Sequence, residues 1–95
     1  MANLRRIVLD TLKPHEPGII DMADELGDIE GVSAVNISIY ELDRKVENAK
    51  ITIEGENVPY QAVARVIEEM GGSIHSVDEV VAGKMIIDDA VTLQD

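Results

Sequence analysis

The chain has 95 residues and is 45% hydrophobic, which is enough for one domain with a modest core. It contains no cysteine, which excludes disulfides, zinc–thiolate sites and thiol catalysis. The formal net charge of −11 and the presence of only two aromatic residues argue against nucleic-acid binding, because phosphates are repelled and bases have almost nothing to stack on.

The first third of the chain predicts a strand, a loop and a helix. Residues 4–12 alternate in hydropathy, which predicts a strand with Ile7 and Leu9 on its core side. Two prolines in residues 13–18 predict a loop, because proline bars regular pairing. A helix is predicted over residues 17–29, where apolar residues recur at helical spacing on one face. The residues of that face are Ile19, Met22, Leu26 and Ile29.

The next elements predict a hairpin and a second helix. Residues 32–43 and 46–54 alternate again and are joined by a short polar turn, which is typical of a β-hairpin. The second helix is predicted from Pro59, which suits a first turn, to the Gly71-Gly72 pair that ends it. Its apolar stripe comprises Tyr60, Val63, Ile67 and Met70.

The last strand and the tail are less regular. In the strand predicted over residues 73–82, Ile74 and Val77 are both apolar although they lie three positions apart, which predicts a β-bulge or a change of face. Residues 84–95 form a tail outside the domain of residues 1–83. Its five large aliphatic side chains are too many to leave in water on a small chain. We therefore expect the tail to be an extra strand, an arm or an oligomer contact.

The element order βαββαβ predicts an α+β fold, the ferredoxin-like split βαβ sandwich, with two helices on one face of an antiparallel sheet. Right-handed crossovers place the first and third strands at the centre, and the fourth and second at the edges. The opposite face is half apolar and needs partial cover, from another subunit or from the tail. No segment resembles a signal peptide or approaches the roughly 18 apolar residues of a membrane span, so a cytoplasmic location without membrane contact is expected.

Three parts of the sequence resemble an uncharacterised archaeal family of unknown function. They are residues 8–17 (VLDTLKPHEP), 41–43 (ELD) and 71–83 (GGSIHSVDEVVAG), of which the last is the most specific. The resemblance implies a ferredoxin-like fold, an archaeal cytoplasm and homo-oligomers, and it carries no activity. A looser likeness to ACT regulatory domains rests on the turn Glu16-Pro17-Gly18 and implies amino-acid binding at subunit interfaces near that turn.

The loop of residues 13–18 is the first candidate site, for a small carboxylate or phosphate. Lys13 and His15 add positive charge in an acidic chain, and Gly18 opens a helix whose free N–H groups favour anions. The competing interpretation is a proline-stiffened turn in which Glu16 satisfies those N–H groups itself. Capping preferences favour that second interpretation.

Acidic residues form the second candidate site, for a divalent cation such as calcium or magnesium. Hard cations need several oxygens at short range, and three carboxylates flank the hairpin turn. A neighbouring subunit would complete the set. The competing interpretation is a solvated turn whose charges pair with Arg44 and Lys45, as most charge runs do. The predicted ligands are Glu41, Asp43 and Glu47, with Asp78 or Glu79 from the neighbour.

His75 and Asp10 form the third candidate, because pairing of the last strand with the first brings them close on the open face. With Ser76 they suggest a catalytic triad, but the serine has no nucleophile elbow around it. A structural hydrogen-bonded pair or a small-ligand contact is favoured over catalysis. The phosphate-loop, dinucleotide-binding, HExxH and CxxC motifs are absent from the sequence.

These observations favour a non-enzymatic, homo-oligomeric binding module that holds a small ligand or a divalent cation at subunit boundaries. The alternative is an ACT-like regulatory domain that senses an amino acid. A third hypothesis, from the enzyme class, uses His75 and Asp10 as acid and base, and no residue is assigned a catalytic role on sequence grounds. The expected partners are other copies of the chain and a small molecule or cation.

Overall fold

The strands and helices follow the predicted order βαββαβ in a computed structural model, which describes residues 3–86. The four strands form one antiparallel sheet in the order β2-β3-β1-β4, so β1 and β3 are central as predicted. This confirms the α+β ferredoxin-like fold. Most of the predicted tail lies outside the described residues. The elements are β1 (Leu4–Pro14), α1 (Ile19–Gly27), β2 (Ala34–Leu42), β3 (Val46–Glu54), α2 (Tyr60–Glu69) and β4 (Ser73–Ala82).

The core lies between one face of the sheet and the two helices. On the central strands, Ile7 pairs with Ile53 and Leu9 with Ile51, so four aliphatic side chains lie side by side on the same face. Each fully buried aliphatic side chain contributes about 1.5–3 kcal/mol. The predicted helix faces are confirmed, since their central residues are all fully buried against this layer. Those residues are Met22 and Leu26 in α1, and Val63 and Ile67 in α2.

The first strand is longer than predicted. Lys13 and Pro14 belong to β1 and pair with Glu47 and Val46 of β3, so the prediction of a loop was wrong at these two positions. Pairing of β1 with β4 stops at Leu12, so the end of β1 has a neighbour on one side only. Proline is tolerated at such a strand end because a missing N–H there costs no ladder bond.

The irregularity predicted in β4 is confirmed. Ile74 and Val77 both lie opposite core-facing residues of β1, because an extra residue, His75, interrupts the pairing between them. A second register shift leaves Asp78 without a direct partner on β1. The edge strand therefore carries two bulges three residues apart, and each one increases the local twist of the strand.

The two halves of the chain meet at a close backbone approach between Gly31 and Gly55. Gly31 follows α1 with φ of +99°, a conformation that glycine adopts readily, and Gly55 follows β3. A Cβ atom on Gly55 would lie 2.0 Å from the carbonyl oxygen of Gly31, so only glycine fits there. The approach is fixed on both sides by backbone bonds, from Ser33 N–H to Glu54 O at 2.7 Å and from Gly55 N–H to Arg5 O at 3.0 Å.

Neither α1 nor α2, the helices found in residues 3–86, is long and apolar enough to cross a membrane.

Candidate functional site

The sheet face opposite the helices carries a shallow hollow of about 460 Å³. Strand alternation places polar residues of β2 and β3 on this face, and the pairs Asn36–Thr52 and Ser38–Lys50 set them side by side. The hollow is lined by Asn36, Ser38, Tyr40, Lys50 and Thr52. Its lining is therefore rich in hydrogen-bond donors and contains one cation.

Tyr40 reaches across this face to Asp10. A register shift between Ile39 and Glu41 leaves Tyr40 without a direct partner on β3. Its hydroxyl donates a short hydrogen bond to the Asp10 carboxylate on β1. This bond, followed by desolvation and the negative charge of Asp10, raises the pKa of the Tyr40 hydroxyl above its ordinary value. The contact joins an edge strand to a central strand beyond its immediate neighbour.

Substituting Asp10 with asparagine is expected to move the ionisation of Tyr40 back towards its ordinary pH. The substitution removes the negative charge of Asp10 and replaces its carboxylate with an amide, which is a weaker acceptor for the Tyr40 hydroxyl. The Tyr40 phenolate therefore forms more readily. Because the folded-state pKa is raised, the stabilisation from this bond is present below about pH 10, the ordinary tyrosine pKa, and is lost as the pH rises through the raised value. Phenolate absorbance during an alkaline titration, in a Tyr60→Phe background that leaves Tyr40 as the only tyrosine, measures this shift. Identical titrations with and without the Asp10→Asn substitution would show that the Asp10 contact does not govern Tyr40.

A second polar connection crosses the same face between β3 and β4. The Lys50 Nζ lies 3.2 Å from Asp78 Oδ2, and the Ser76 hydroxyl donates to Asp78 Oδ1 at 2.6 Å. The hydrogen bond from Ser76, and then that from Lys50, lowers the pKa of Asp78, and the nearby His75 has the same effect. Asp78 is therefore a stable carboxylate that orients Lys50 beside the hollow.

In the loop of residues 13–18, which the sequence predicts to bind an anion, the side chains of Lys13 and His15 contact Glu47. Lys13 is 1% exposed on the core side of β1, and its Nζ lies 3.0 Å from Glu47 Oε1 and 2.7 Å from the carbonyl oxygen of Pro14. His15 Nδ1 lies 3.1 Å from Glu47 Oε2, and its Nε2 lies 2.8 Å from the carbonyl oxygen of Asp43. Both ring nitrogens of His15 therefore lie within hydrogen-bond distance of an oxygen.

Both side chains predicted to bind an anion therefore contact groups of the protein itself, Lys13 in the interior and His15 at the surface, where its side chain is 38% exposed. Gly18 is the N-cap of α1 and no side-chain bond caps the start of the helix, so the structure does not show the capping role predicted for Glu16. Residues 15–18 form a turn before the helix, as both interpretations expected. Sequence reasoning had assigned Lys13 and Glu47 to two different sites, one for an anion and one for a metal. The structure joins them into a single charge cluster of Lys13, His15 and Glu47, which ties the β1–α1 loop to the hairpin.

Comparison with known proteins places the chain in a family. Residues 5–95 match the model of DUF211, a family described as uncharacterised ArCR. The chain belongs to the DUF211 family. A similar protein, the uncharacterised protein MJ0319 of Methanocaldococcus jannaschii, is 54% identical over 95 residues, which cover 100% of this chain and 98% of that protein. The predicted resemblance to an archaeal family of unknown function is confirmed, and the hollow lies inside the part that matches DUF211.

The predicted metal ligands of this DUF211 chain do not converge within one copy. Asp78 pairs with Lys50 and Glu79 accepts from Arg6 at 3.1 Å, whereas Glu41 and Asp43 lie at the β2–β3 turn on the other edge of the sheet. Among residues 3–86 there is no group of three or more histidine or acidic side chains placed to hold a metal ion. A cation site between copies stays a prediction.

The predicted pair of His75 and Asp10 is not formed in this DUF211 chain. Asp10 lies opposite Ser76 in the register, and its carboxylate binds Tyr40. His75 occupies a bulge and is exposed. Sequence reasoning missed Tyr40 as the partner of Asp10, since a tyrosine in an alternating strand gives no sign of a contact two strands away.

Proposed function

We propose that this DUF211 protein is a non-enzymatic, homo-oligomeric binding module that holds a small ligand on the uncovered face of its sheet, at a boundary between subunits. The observation that supports this is the polar hollow of about 460 Å³. Small-molecule sites are typically concave regions of about 300–1,000 Å³ with a few convergent polar groups. The hollow has that size and lies on the face that the helices leave open.

The lining favours a ligand with acceptor oxygens, such as a small carboxylate. Lys50 supplies a positive charge, and the hydroxyls of Ser38 and Thr52 and the amide of Asn36 supply further donors. The charged groups around the hollow are already paired, Asp10 with Tyr40 and Asp78 with Lys50. This pairing fits a preformed binding surface better than a catalytic site, which needs a free acid or base beside the substrate.

The position of the hollow supports a subunit boundary. It is shallow and lies next to β2, an edge strand of the sheet. Ligand sites normally bury most of their ligand, so this hollow needs a cover. Tyr40, which is 54% exposed on β2, provides aromatic surface in the hollow for a second copy to cover.

Ligand-dependent thermal stabilisation tests the proposal. We expect one or more of the twenty amino acids, used as carboxylate probes, to stabilise the protein by about 2.7 kcal/mol at a hundredfold excess over Kd. Lys50→Ala should abolish this stabilisation by the ligand. Arg65→Ala, which removes a positive charge from an exposed position of α2, should leave the stabilisation unchanged. Native mass spectrometry of the same samples reports how many copies associate.

The outcomes separate the candidate functions. A shift confined to certain amino acids and sensitive to Lys50 supports an ACT-like sensing role for this hollow. Adding calcium or magnesium to the set of probes tests the alternative, a cation site formed by Glu41 and Asp43 of one copy and Asp78 and Glu79 of the next. An oligomer that forms only with the cation and dissociates in EDTA would favour that alternative. A monomer that no probe stabilises would contradict the proposed function.

A further inference from the structure

The edge strand β2 lies in the longest stretch of the chain without a charged side chain. That stretch is residues 31–40, in a chain of which 28% of the residues are charged. β2 ends the sheet on one side, and no strand of residues 3–86 lies on its outer side. Edge strands that avoid pairing usually carry charges or bulges. From Ala34 to Ile39, β2 carries no charge and keeps an unbroken register with β3.

The other edge strand, β4, is protected in this way. It contains Asp78 and Glu79, and bulges at His75 and Asp78 interrupt its pairing with β1. The whole chain has a net charge of −11, so two copies repel each other over most of their surfaces. This repulsion is weakest where neither copy presents a charge, which makes β2 the edge best suited to contact with another copy.

The ladder hydrogen bonds determine which backbone groups of β2 point away from the sheet. The N–H of Gly55 donates to the carbonyl oxygen of Arg5 at 3.0 Å, so these two residues form a hydrogen-bonded pair at the start of the β1–β3 ladder. Hydrogen-bonded pairs alternate along an antiparallel ladder, so odd-numbered residues of β3 bond to β1 and even-numbered residues bond to β2. Their partners in β2 are Ala34, Asn36 and Ser38. The residues between and after these partners therefore direct their N–H and C=O groups to the free edge, and they are Val35, Ile37 and Ile39.

We propose that β2 pairs antiparallel with β2 of a second copy, with Ile37 opposite Ile37 of that copy. Val35 of each copy then lies opposite Ile39 of the other, so all three outward-facing residues have a backbone partner. At two bonds for each hydrogen-bonded pair, the contact contains about six ladder bonds. A register shifted by two residues leaves one outward-facing residue of each copy without such a partner.

The side chains match in this register as well. Val35 and Ile37 pack against the core on the helix side of the sheet, where antiparallel pairing places one aliphatic side chain opposite another. On the open face, Asn36 lies opposite Ser38 of the second copy. The large Tyr40 lies next to the second copy's Ala34, the smallest residue of β2. All residue pairs formed by residues 34–40 are uncharged, so the contact brings no like charges together.

The pairing adds residues of the second copy to the hollow. Asn36 and Ser38 line the hollow, and their counterparts from the second copy lie opposite them, about 5 Å away. Each hollow therefore gains an amide and a hydroxyl, together with a wall on the side where β2 ends the sheet. The role of these added groups in holding a ligand rests on the proposed function, whereas the strand pairing can be tested without a ligand.

Disulfide formation between copies tests the pairing and its register, because the chain has no cysteine of its own. Asn36 and Ser38 of opposite copies form a non-hydrogen-bonded pair, whose Cα atoms lie about 4.5 Å apart, within the range that a disulfide bridges. We expect a mixture of Asn36→Cys chains and Ser38→Cys chains to form the mixed disulfide at least about tenfold faster than either variant alone forms its own, because identical positions lie two residues out of register. The masses of the products under denaturing, non-reducing conditions identify each combination.

Val77→Cys is the control for random collision, because Val77 is 45% exposed on the opposite edge. A mixed disulfide that forms no faster than that of Val77→Cys would overturn the proposed pairing. Faster reaction of Asn36→Cys or Ser38→Cys with itself would overturn the proposed register. Stabilisation by amino acids that depends on Lys50, in a protein that forms no mixed disulfide, would remove the pairing and leave the proposed ligand site standing.

Hydrogen exchange of the unmodified chain provides a second measurement. The amides of Val35, Ile37 and Ile39 gain acceptors when the copies associate, so we expect their exchange to slow at least about tenfold between dilute and concentrated solutions. The amides of Asn36 and Ser38, which already bond to β3, should change less. Protection that appears along β4 instead, or along neither edge, would overturn the proposal.

Discussion

Replacing Gly55 with alanine is expected to lower the free energy of unfolding by about 3 kcal/mol or more, at the upper end of the cost of overpacking. The added Cβ would lie 2.0 Å from the Gly31 carbonyl oxygen and 3.3 Å from the Ser33 backbone nitrogen. Backbone atoms move only if their hydrogen bonds break, so a small side-chain adjustment cannot relieve the contact. In a domain of this size, such a loss lowers Tm by roughly 12 °C or more.

Gly27→Ala is the matched control, because a Cβ at that position meets nothing within 4 Å. Gly27 is the last residue of α1, where alanine is favoured over glycine by up to about 1 kcal/mol. Calorimetry should therefore show a small rise in Tm for this variant and a large fall for Gly55→Ala. Equal melting temperatures for the two variants would show that the Gly31–Gly55 approach is not tight.

Lys13→Met is expected to destabilise the fold by about 3 kcal/mol, because removal of one member of a buried ion pair leaves the other without full compensation. The Lys13 side chain is fully buried and that of Glu47 nearly so. The methionine fills the volume of the lysine stem, so the loss reflects the missing charge and hydrogen bonds rather than a cavity. Urea unfolding measures the difference.

Two comparisons isolate the charge effect at Lys13. The double variant Lys13→Met/Glu47→Leu should recover to within about 1 kcal/mol of the parent, since replacing a whole buried pair with apolar residues is often neutral. Lys50→Met breaks the half-exposed pair with Asp78 and should cost less than about 1 kcal/mol. If the Lys13 and Lys50 variants lose the same stability, burial does not strengthen the Lys13 pair.

Hydropathy alternation predicted the sheet and its core because a strand presents alternate residues to opposite faces. Ile7 and Leu9 were assigned to the core from this pattern alone, and both are fully buried. The spacing of Ile74 and Val77 even indicated the bulge in β4. These features depend on neighbours in sequence, which a pattern records directly.

The contacts of the charged residues were not predictable in the same way. A lysine beside a proline suggests a solvated loop, because lysine is almost never fully buried, yet Lys13 is buried. Its partner Glu47 lies 34 positions away, and only the register of β1 with β3 brings the two together. The bond from Tyr40 to Asp10 joins β2 to β1, two strands that are not neighbours in the sheet. The residues lining the hollow are ordinary polar positions of alternating strands.

The strand order has a consequence for symmetry. In residues 3–86, β2 forms one edge of the sheet and has no strand on its outer side. Copies that associate through this edge alone join like to like, so the contact has a two-fold axis and closes at a pair instead of growing into a filament. Each hollow is bordered by Asn36 and Ser38 of β2, so the two hollows of such a pair would lie next to each other across that axis.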